Sequence, residues 1–229
     1  MDARASSLDV GRSTLNVGGC DKAAALRQLL QQRFPPAQRA TDDALATGIP
    51  AVDAAGGLPR PGLTELVCAA SSCGSQLFLG QLFHVTREQA LRVALVDRSD
   101  AFDPSSWPAH LLEHLVWVRA RHATEALHAA DLLARDANLG LVVLDLRHAV
   151  LAELRRIPSP TWYRLQRAIE PTLMAGLILT PFALVPSVRL RIELATSHAL
   201  ATQNRPRPQL AAALAPGLLR QRTHAAAAG

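Results

Sequence analysis

The chain has 229 residues, of which 49% are hydrophobic, and its formal net charge is +5. This apolar content is enough for the buried core of one domain, which argues against a chain that is disordered throughout. The sequence has no apolar run of roughly 18 residues and no apolar signal-peptide centre near Met1, so we expect neither a membrane span nor secretion. We expect a cytoplasmic protein, and its three cysteines, which lack metal-ligand spacing, agree with a reducing compartment.

The positive charge comes almost entirely from arginine, because Lys22 is the only lysine. A basic chain indicates nucleic acid or acidic proteins as partners. A GC-rich genome, which favours arginine codons, accounts for the same composition, so the charge alone does not choose between these explanations. In either case the arginines are able to bind phosphate or carboxylate through two hydrogen bonds.

The N-terminal part is predicted to consist of a flexible segment and a helix. Residues 1–20 are polar and contain glycine and serine, as flexible termini do. Within residues 21–44 the periodicity predicts a helix over 21–34, which Asp21 would cap and Pro35 would end, and then a linker. Four residues form the apolar stripe of this helix and are candidates for a partner contact: Leu26, Leu29, Leu30 and Phe34. Packing of the stripe against the protein's own core is the alternative.

Residues 45–200 have the pattern of an α/β core. Apolar runs of strand length alternate with stretches of helical periodicity, which predicts a mostly parallel, doubly wound sheet flanked by helices. The predicted parallel strands are 63–68, 93–96, 115–118, 141–144 and 177–180, and the predicted helices are 76–90, 123–137 and 160–174. In residues 188–194 apolar and charged residues alternate, which predicts an antiparallel edge strand with one face in water.

Residues 201–229 are predicted to form a flexible C-terminal tail. Pro206 and Pro208 alternate with arginines, which predicts an extended linker rather than a helix or a strand. Two short apolar pieces, 209–214 and 218–222, follow this linker. They are either a frayed terminus or a segment that becomes ordered on a partner.

The most informative segment, residues 66–82, has the layout of a phosphate-binding Walker A loop: an apolar strand, small residues and a helix. Its loop residues are Ser71, Ser72, Cys73, Gly74, Ser75 and Gln76. Gly74 stands where a Walker A loop has the glycine before its lysine, but Ser75 and Gln76 replace the lysine and the following serine or threonine. A working loop needs that lysine to neutralise phosphate and that hydroxyl to bind Mg²⁺, so this loop is degenerate. Cys73 is either a small loop residue or a redox-sensitive thiol.

The surrounding sequence resembles the core of the RecA recombinase superfamily over residues 45–194. LATGIPAVDAAGGLPRPGLTELV (45–67) is similar to the start of that core, and RVALVDRSDAFDPSSW (92–107) to its second strand and the turn after it. LGLVVLDLRH (139–148) is similar to the Walker B strand, and GLILTPFALVPSVRLRIEL (176–194) to the last strands. The resemblance implies a RecA-like fold in which Asp145 would hold Mg²⁺ through water. A carboxylate that binds loop amides is the alternative.

Several residues that the resemblance marks as catalytic are replaced in this chain. Ser99 stands where recombinases have the glutamate that polarises the attacking water. Thr180 and Pro181 stand where they have a polar pair that senses the γ-phosphate, and their long DNA-gripping loop is nearly absent. With these losses the chain is most similar to the ImuA-type RecA-like accessory proteins of translesion-synthesis mutasomes, which act in the SOS response to DNA damage.

Three arginines are candidates for DNA contact: Arg147, Arg155 and Arg156. They precede Pro158 in the region where recombinases carry their first DNA loop. A solvated, charged surface is the alternative explanation of such a cluster. The neighbouring His148 has no serine or cysteine partner placed by a motif, so we interpret it as a surface residue.

The resemblance implies a non-catalytic RecA-like adaptor in DNA-damage tolerance that binds polymerase-type partners of translesion synthesis and RecA-type partners. It also implies weak, non-specific DNA binding, with self-association through the predicted helix 21–34. We expect no metal and no cofactor, although loop amides and a helix dipole alone give weak capture of ATP with Mg²⁺. The alternative is an atypical DNA-stimulated ATPase of the RecA family. An unrelated α/β enzyme would need a catalytic constellation, and the sequence shows none.

Overall fold

A computed structural model describes residues 44–199, 201 and 204–221 of the chain. The described strands are β1 (Ala44–Leu45), β2 (Leu58–Pro59), β3 (Gly62–Cys68), β4 (Arg92–Asp97), β5 (Leu115–Arg119), β6 (Leu139–Asp145), β7 (Ala175–Thr180), β8 (Leu190–Leu194) and β9 (Gly217–Gln221). The helices are α1 (Pro50–Asp53), α2 (Ser75–Glu88), α3 (Ala109–Leu112), α4 (Ala123–Leu133), α5 (Leu151–Arg155), α6 (Ser159–Ile169) and α7 (Arg207–Ala212), with a 3-10 turn at Pro104–Ser106.

Seven of these strands form one large sheet in the order β5–β4–β6–β7–β3–β8–β9, while β1 and β2 form a separate antiparallel pair. Every described pairing from β5 to β8 is parallel, and β9 runs antiparallel to β8. Parallel neighbours must be joined by crossovers, and helices supply most of them here. The predicted α/β class, with a mostly parallel sheet flanked by helices, is therefore confirmed.

Both faces of the sheet are covered by helices. In β6, Val142 and Leu144 pack into a core with α4, α5 and α6, whereas Leu141 and Val143 pack into a second core with α2. This division follows from the alternation of side chains along a strand. All residues of β6 are buried, which explains why its sequence is a continuous apolar run.

Aromatic side chains hold the turn after β4 against α2. The ring centroid of Phe83 lies 6.1 Å from that of Phe102 and 5.7 Å from that of Trp107, both in edge-to-face geometry. Trp107 also packs so closely on Gly80 that a Cβ at this position would come within 2.6 Å of the indole ring. Glycine is therefore needed in the middle of this helix, although it lowers helix propensity.

The predicted parallel strands and long helices are all present, with differences at their ends. The five strands extend one to three residues beyond the predicted limits, and α2 begins at Ser75 instead of Gln76. Helix α6 ends at Ile169, earlier than predicted, because Pro171 cannot continue a helix.

The predicted antiparallel edge strand over 188–194 is wrong. β8 runs parallel to β3 and lies inside the sheet, between β3 and β9. The apolar residues of β8 are buried as the alternation predicted, but Arg191 donates a hydrogen bond to the buried carboxylate of Glu65 rather than pointing into water. The antiparallel edge of the sheet is β9 instead.

The predicted extended linker at residues 205–208 is wrong for its second half. Helix α7 begins at Arg207 and has Pro208 in its first turn, where the missing N–H of proline is tolerated. After α7, β9 pairs with β8 in the register Leu190–Gln221 and Arg191–Arg220. Residues 217–221 therefore belong to the sheet and not to a separate tail.

The predicted helix 21–34 and its stripe, Leu26, Leu29, Leu30 and Phe34, lie outside the described residues. Among the helices that the structure does describe, none combines the length and the apolar character needed to cross a bilayer.

Candidate functional site

The degenerate loop connects β3 to α2 at the carboxyl edge of the large sheet. Its backbone turns through two residues with positive φ, Ser72 at 55° and Gly74 at 85°. Gly74 precedes α2, and no side chain caps this helix end. The predicted course from strand through small residues into helix is therefore confirmed, and the first N–H groups of α2 face the loop.

Asp145 ends β6 at the same edge of the sheet. β7 lies between β6 and the loop-bearing strand β3, and Asp97 of β4 is the register neighbour of Asp145 on the other side. Because these strands are parallel, their carboxyl ends meet at one edge, where α/β proteins commonly bind ligands. The topology thus brings the loop and Asp145 together, as the motifs predicted.

The side chain of Arg147 fills the space between Asp145 and the start of α2. Its Nε lies 2.9 Å and 3.1 Å from the two carboxylate oxygens of Asp145, and its two terminal nitrogens donate to Asp145 and to the hydroxyl of Ser75. The Arg147 and Asp145 side chains are only 6% and 4% exposed. Burial lowers the pKa of Arg147, but hydrogen bonds and charge from Asp145 outweigh it and raise the pKa above its ordinary value.

These contacts do not fit the binding of Mg²⁺ with a triphosphate. Each carboxylate oxygen of Asp145 already accepts two hydrogen bonds from Arg147, counting the backbone N–H of Arg147 at 3.1 Å. The hydroxyl of Ser75 accepts a third contact from the same guanidinium. A cation of the chain itself therefore occupies the place at which a nucleotide-bound metal would meet the carboxylate.

The C-terminal part of the chain covers the outer side of the loop. The backbone N–H of His198 donates to the carbonyl of Ser72 at 3.0 Å, and the hydroxyl of Ser197 donates to the carbonyl of Ser71 at 2.8 Å. A Cβ at Gly74 would lie 2.4 Å from Leu214 and 2.9 Å from His198. The loop is thus packed against its own chain from Ser71 to Gly74.

The side chain of Gln76 points away from Ser75, Asp145 and Arg147. It lines a groove of about 680 Å³ that α2 forms with Trp107 and α7. Arg207 of α7 stacks on the Trp107 ring at 4.9 Å at this groove. Gln76 therefore does not join Ser75, Asp145 and Arg147 in one site.

Cys68 and Cys73 stand at the two ends of the loop, and both are free thiols. A hydrogen bond from Cys68 is the largest cause that lowers the pKa of Cys73 from 9.0 to about 6. Donors from Ser75 and the charge of Arg147 lower this pKa further, against the opposing effect of burial. The same hydrogen bond and burial raise the pKa of Cys68.

Side chains at the end of β4 and in the turn after it bind the backbone of that turn. The carboxylate of Asp97 accepts hydrogen bonds from the backbone N–H groups of Ser99 and Phe102, at 3.0 and 2.8 Å. Ser99, which the sequence resemblance aligns with the glutamate of recombinases, has a buried hydroxyl without a hydrogen-bond partner among the described residues. Asp103 caps the 3-10 turn, where hydrogen bonds from Ser106 and Ser105 lower its pKa.

Glu65 is the centre of a second buried polar cluster, which the sequence did not predict. Its fully buried carboxylate accepts hydrogen bonds from the hydroxyl of Thr180 at 3.0 Å and from Arg191 Nε at 2.6 Å. It also accepts from the backbone N–H groups of Leu184 and Val185. Thr180, which the sequence resemblance aligns with the polar pair of recombinases, thus binds an internal carboxylate.

The three predicted DNA-contact arginines do not lie together on an exposed surface. Arg155 and Arg156 are exposed at the end of α5, but Arg147 is buried against Asp145. His148 is exposed, as interpreted from the sequence. The prediction of a three-arginine surface is therefore wrong for Arg147.

The role of Arg147 was missed because its position follows from a rotamer and not from a motif. Two sequence signals pointed to it: the spacing Asp145-Leu146-Arg147 at a strand end and the absence of any lysine in the loop. A second unpredicted pair, Arg98 and Glu153, joins the turn after β4 to α5 at 2.7 Å.

Comparison of the chain with protein-family models and with curated proteins finds no match. The site is therefore interpreted from its own residues and geometry.

Proposed function

We propose that this protein is a non-catalytic RecA-like adaptor in DNA-damage tolerance, which binds polymerase-type and RecA-type partners of translesion synthesis. The sequence resemblance supplies the pathway and the partners. The observation that carries the non-catalytic part is the contact of Arg147 with both Asp145 and Ser75. An internal cation there takes over the electrostatic role of the lysine and the metal of a working loop.

The closed loop supports the same proposal. A phosphate at the start of α2 would have to displace His198 and Leu214, which pack on Gly74. It would then meet no lysine, and the Asp145 carboxylate, whose oxygens are saturated by Arg147, would offer nothing to Mg²⁺. Ser99 has no basic group with which to activate water. The core thus keeps the shape of a nucleotide-binding domain while its own side chains fill the site.

The fold leaves exposed side chains for partners on and beside α5. Arg155 and Arg156 are exposed on α5 beside two exposed apolar side chains, Val150 and Leu151, which are 58% and 48% exposed. Basic side chains of this kind give weak, sequence-independent contact with the DNA backbone. The predicted helix 21–34 is the proposed protein contact, and its apolar stripe rests on the sequence alone.

The experiment that tests the non-catalytic part is calorimetry of the full chain with Mg-ATP, followed by a phosphate-release assay with and without single-stranded DNA. We expect negligible binding and no turnover. Micromolar binding, or DNA-stimulated turnover that Asp145→Ala abolishes, would overturn the adaptor and favour the atypical ATPase. Asp136→Ala, at an exposed turn far from the loop, is the matched control for loss of a carboxylate.

The proposed binding to RecA-type and polymerase-type partners needs a separate measurement. Purified full chain is titrated into a purified RecA-type recombinase and a purified translesion polymerase, and binding is followed by light scattering. Binding to either one in the absence of nucleotide supports an adaptor. If neither binds and ATP is also not bound, the fold assignment survives but the adaptor role does not.

A further inference from the structure

A groove of about 680 Å³ lies between α2, the turn after β4, and helices α3 and α7. Along α2 it extends from Gln76 to His84, which is about 12 Å at the rise of an α-helix. Two turns of a second helix have nearly the same length, about 11 Å. Neither Arg147 nor Asp145 lines the groove, so it is distinct from the site that these two residues fill.

The floor of the groove is apolar. Among the residues that line it, Gly80, Leu111 and Ala211 are buried, while Leu77 and Trp107 are half-buried. The half-buried side chains leave apolar surface in contact with water. A ligand that covers this surface gains free energy from the hydrophobic effect. The floor therefore favours a ligand with apolar side chains.

Two arginines at the groove give it a positive rim. Arg205 and Arg207 are both exposed, and in the part of the chain that the structure describes neither forms an ion pair. The guanidinium of Arg207 lies 4.9 Å from the centre of the Trp107 ring, which holds it over the floor. The carboxylate of Asp103, which also lines the groove, already accepts hydrogen bonds within its own turn. The rim therefore favours a ligand with carboxylates.

We propose that this groove is a docking site for an acidic, amphipathic helical segment of a partner protein. Apolar side chains at helical spacing on this segment cover the floor, as in other complexes in which a helix lies in a groove. Its carboxylates pair with Arg205 and Arg207, since a guanidinium binds a carboxylate through two parallel hydrogen bonds. The proposal rests on the adaptor function proposed above and gives the chemistry of one partner segment.

A nucleic acid is a poorer occupant of the same groove. Its phosphates follow one another along the whole backbone, so some of them would lie against the Asp103 carboxylate and the apolar floor. An amphipathic peptide instead places its carboxylates on one side and its apolar side chains on the other. The arrangement of arginines above an apolar floor therefore matches the peptide.

The test begins with a library of random peptides of about 12 residues, or roughly three helical turns, displayed on phage and selected on the immobilised full chain. We expect the selected peptides to be acidic and to carry leucine or aromatic side chains three or four positions apart. The most frequent peptide is then synthesised with a fluorescent label, and its affinity is measured by fluorescence anisotropy. Selection of basic or neutral peptides, or of none, overturns the proposal.

A double variant tests the role of the arginines. Arg205→Glu with Arg207→Glu should weaken binding of the selected acidic peptide at least about tenfold, because attractive charge pairs become repulsive. Arg155→Glu with Arg156→Glu makes the same change of charge at α5 and should leave the affinity nearly unchanged. An affinity that the first double variant does not lower, or that both lower equally, overturns the proposal.

A substitution that leaves the arginines in place tests the shape of the groove. His84→Trp adds bulk at an exposed position that lines it and should also weaken peptide binding. His148→Trp is the same substitution at an exposed position away from the groove and should have no effect. If Arg205→Glu with Arg207→Glu does not fold, His84→Trp carries the test, and unchanged binding in it overturns the proposal.

The outcome is separable from that of the adaptor function. If acidic peptides bind at the groove but neither purified partner binds the full chain, the docking site is supported and the named partners are wrong. If a purified partner binds and no acidic peptide is selected, the adaptor is supported and the docking site is wrong. If Arg205→Glu with Arg207→Glu abolishes self-association in sedimentation but not peptide binding, a second copy of the chain occupies the groove, which also overturns the proposal.

Discussion

The guanidinium of Arg147 and the carboxylate of Asp145 form a buried ion pair two residues apart, with side chains 6% and 4% exposed. Removal of one partner from such a pair leaves a buried charge uncompensated, which typically costs about 3–5 kcal/mol. We therefore predict that Arg147→Ala lowers the free energy of unfolding by about this amount, as measured by urea denaturation. Arg135→Ala removes an exposed arginine from its ion pair with Asp131, which Arg164 also contacts, and should change the free energy of unfolding by less than about 1 kcal/mol.

A double variant tests whether charge is the cause. Arg147→Met with Asp145→Leu removes both charges and leaves apolar side chains of similar volume. It should be more stable than Arg147→Ala alone, since neither charge remains buried without a partner. A double variant that is as unstable as Arg147→Ala would show that the loss comes from packing instead.

Glu65 and Arg191 give a second prediction. Glutamine at position 65 would place an N–H₂ group against either Arg191 Nε or the N–H groups of Leu184 and Val185, so donors would face donors. Glu65→Gln should therefore lower the free energy of unfolding by about 1.5–3 kcal/mol, the usual range for a hydrogen bond to a charged group. Asp100→Asn in the exposed pair with Arg119 is the control and should have little effect. A similar loss in both variants would contradict the structural role of Glu65.

The sequence predicted best the elements that are buried on both faces or along one regular stripe. β6 is covered on both sides, so its apolar run indicates a central strand without further information. α2 has a regular apolar stripe that packs on one face of the sheet, and its helical periodicity follows directly. In both cases local pattern and tertiary environment agree.

The elements that were predicted wrongly depend on long-range contacts. The alternation in β8 has the same appearance whether Arg191 faces water or the buried Glu65, and only the fold distinguishes the two. β9 is identified as a strand by its pairing with β8, since most of its residues are exposed. At the site, the sequence placed Asp145 near the loop but had no means to show that Arg147 turns inward. A side-chain conformation of this kind is set by burial and hydrogen bonding in the finished fold.

His114 makes the stability of the fold dependent on pH. Its Nε2 lies 2.9 Å from Thr86 Oγ1, which itself donates to the carbonyl of Leu82 at 2.8 Å, so Nε2 carries the proton of a neutral ring. Burial is the main cause that lowers the pKa of His114 below 6.5, and the charge of Arg87 adds to it. The unfolded state therefore binds a proton more readily than the folded state does, and stability falls as the pH drops through about 6.5.

The comparison of wild type with His114→Gln measures this contribution. The free energy of unfolding of both proteins is determined at several pH values between about 8 and about 5. The stability of the wild type relative to the variant should decrease toward low pH, by at most about 1.4 kcal/mol per pH unit for one proton. A difference that stays constant over this range would show that His114 does not titrate differently in the two states.

Weak DNA binding through α5 is the fourth prediction. Arg155→Ala with Arg156→Ala should weaken the binding of single-stranded DNA, as measured by fluorescence anisotropy. The slope of log affinity against log salt concentration should become shallower by roughly one for each lost phosphate contact. Arg135→Ala, on another exposed surface, is the matched control and should leave affinity nearly unchanged. Tight binding that persists at physiological salt, or an affinity that the double variant does not change, would contradict this prediction.

The last prediction concerns association through the helix predicted over residues 21–34. Its apolar stripe must be buried against something, and each fully covered leucine is worth roughly 1.5–3 kcal/mol. Leu29→Asp with Leu30→Asp should therefore abolish association of the full chain with itself or with a purified RecA-type recombinase, as measured by sedimentation. The melting temperature of the core should change little, because the described sheet and helices begin only at Ala44. Gln28→Asp with Gln31→Asp places the same charges on the opposite side of the predicted helix and should leave association intact. If Leu29→Asp with Leu30→Asp unfolds the protein instead, the stripe packs on its own core and the partner contact must lie elsewhere.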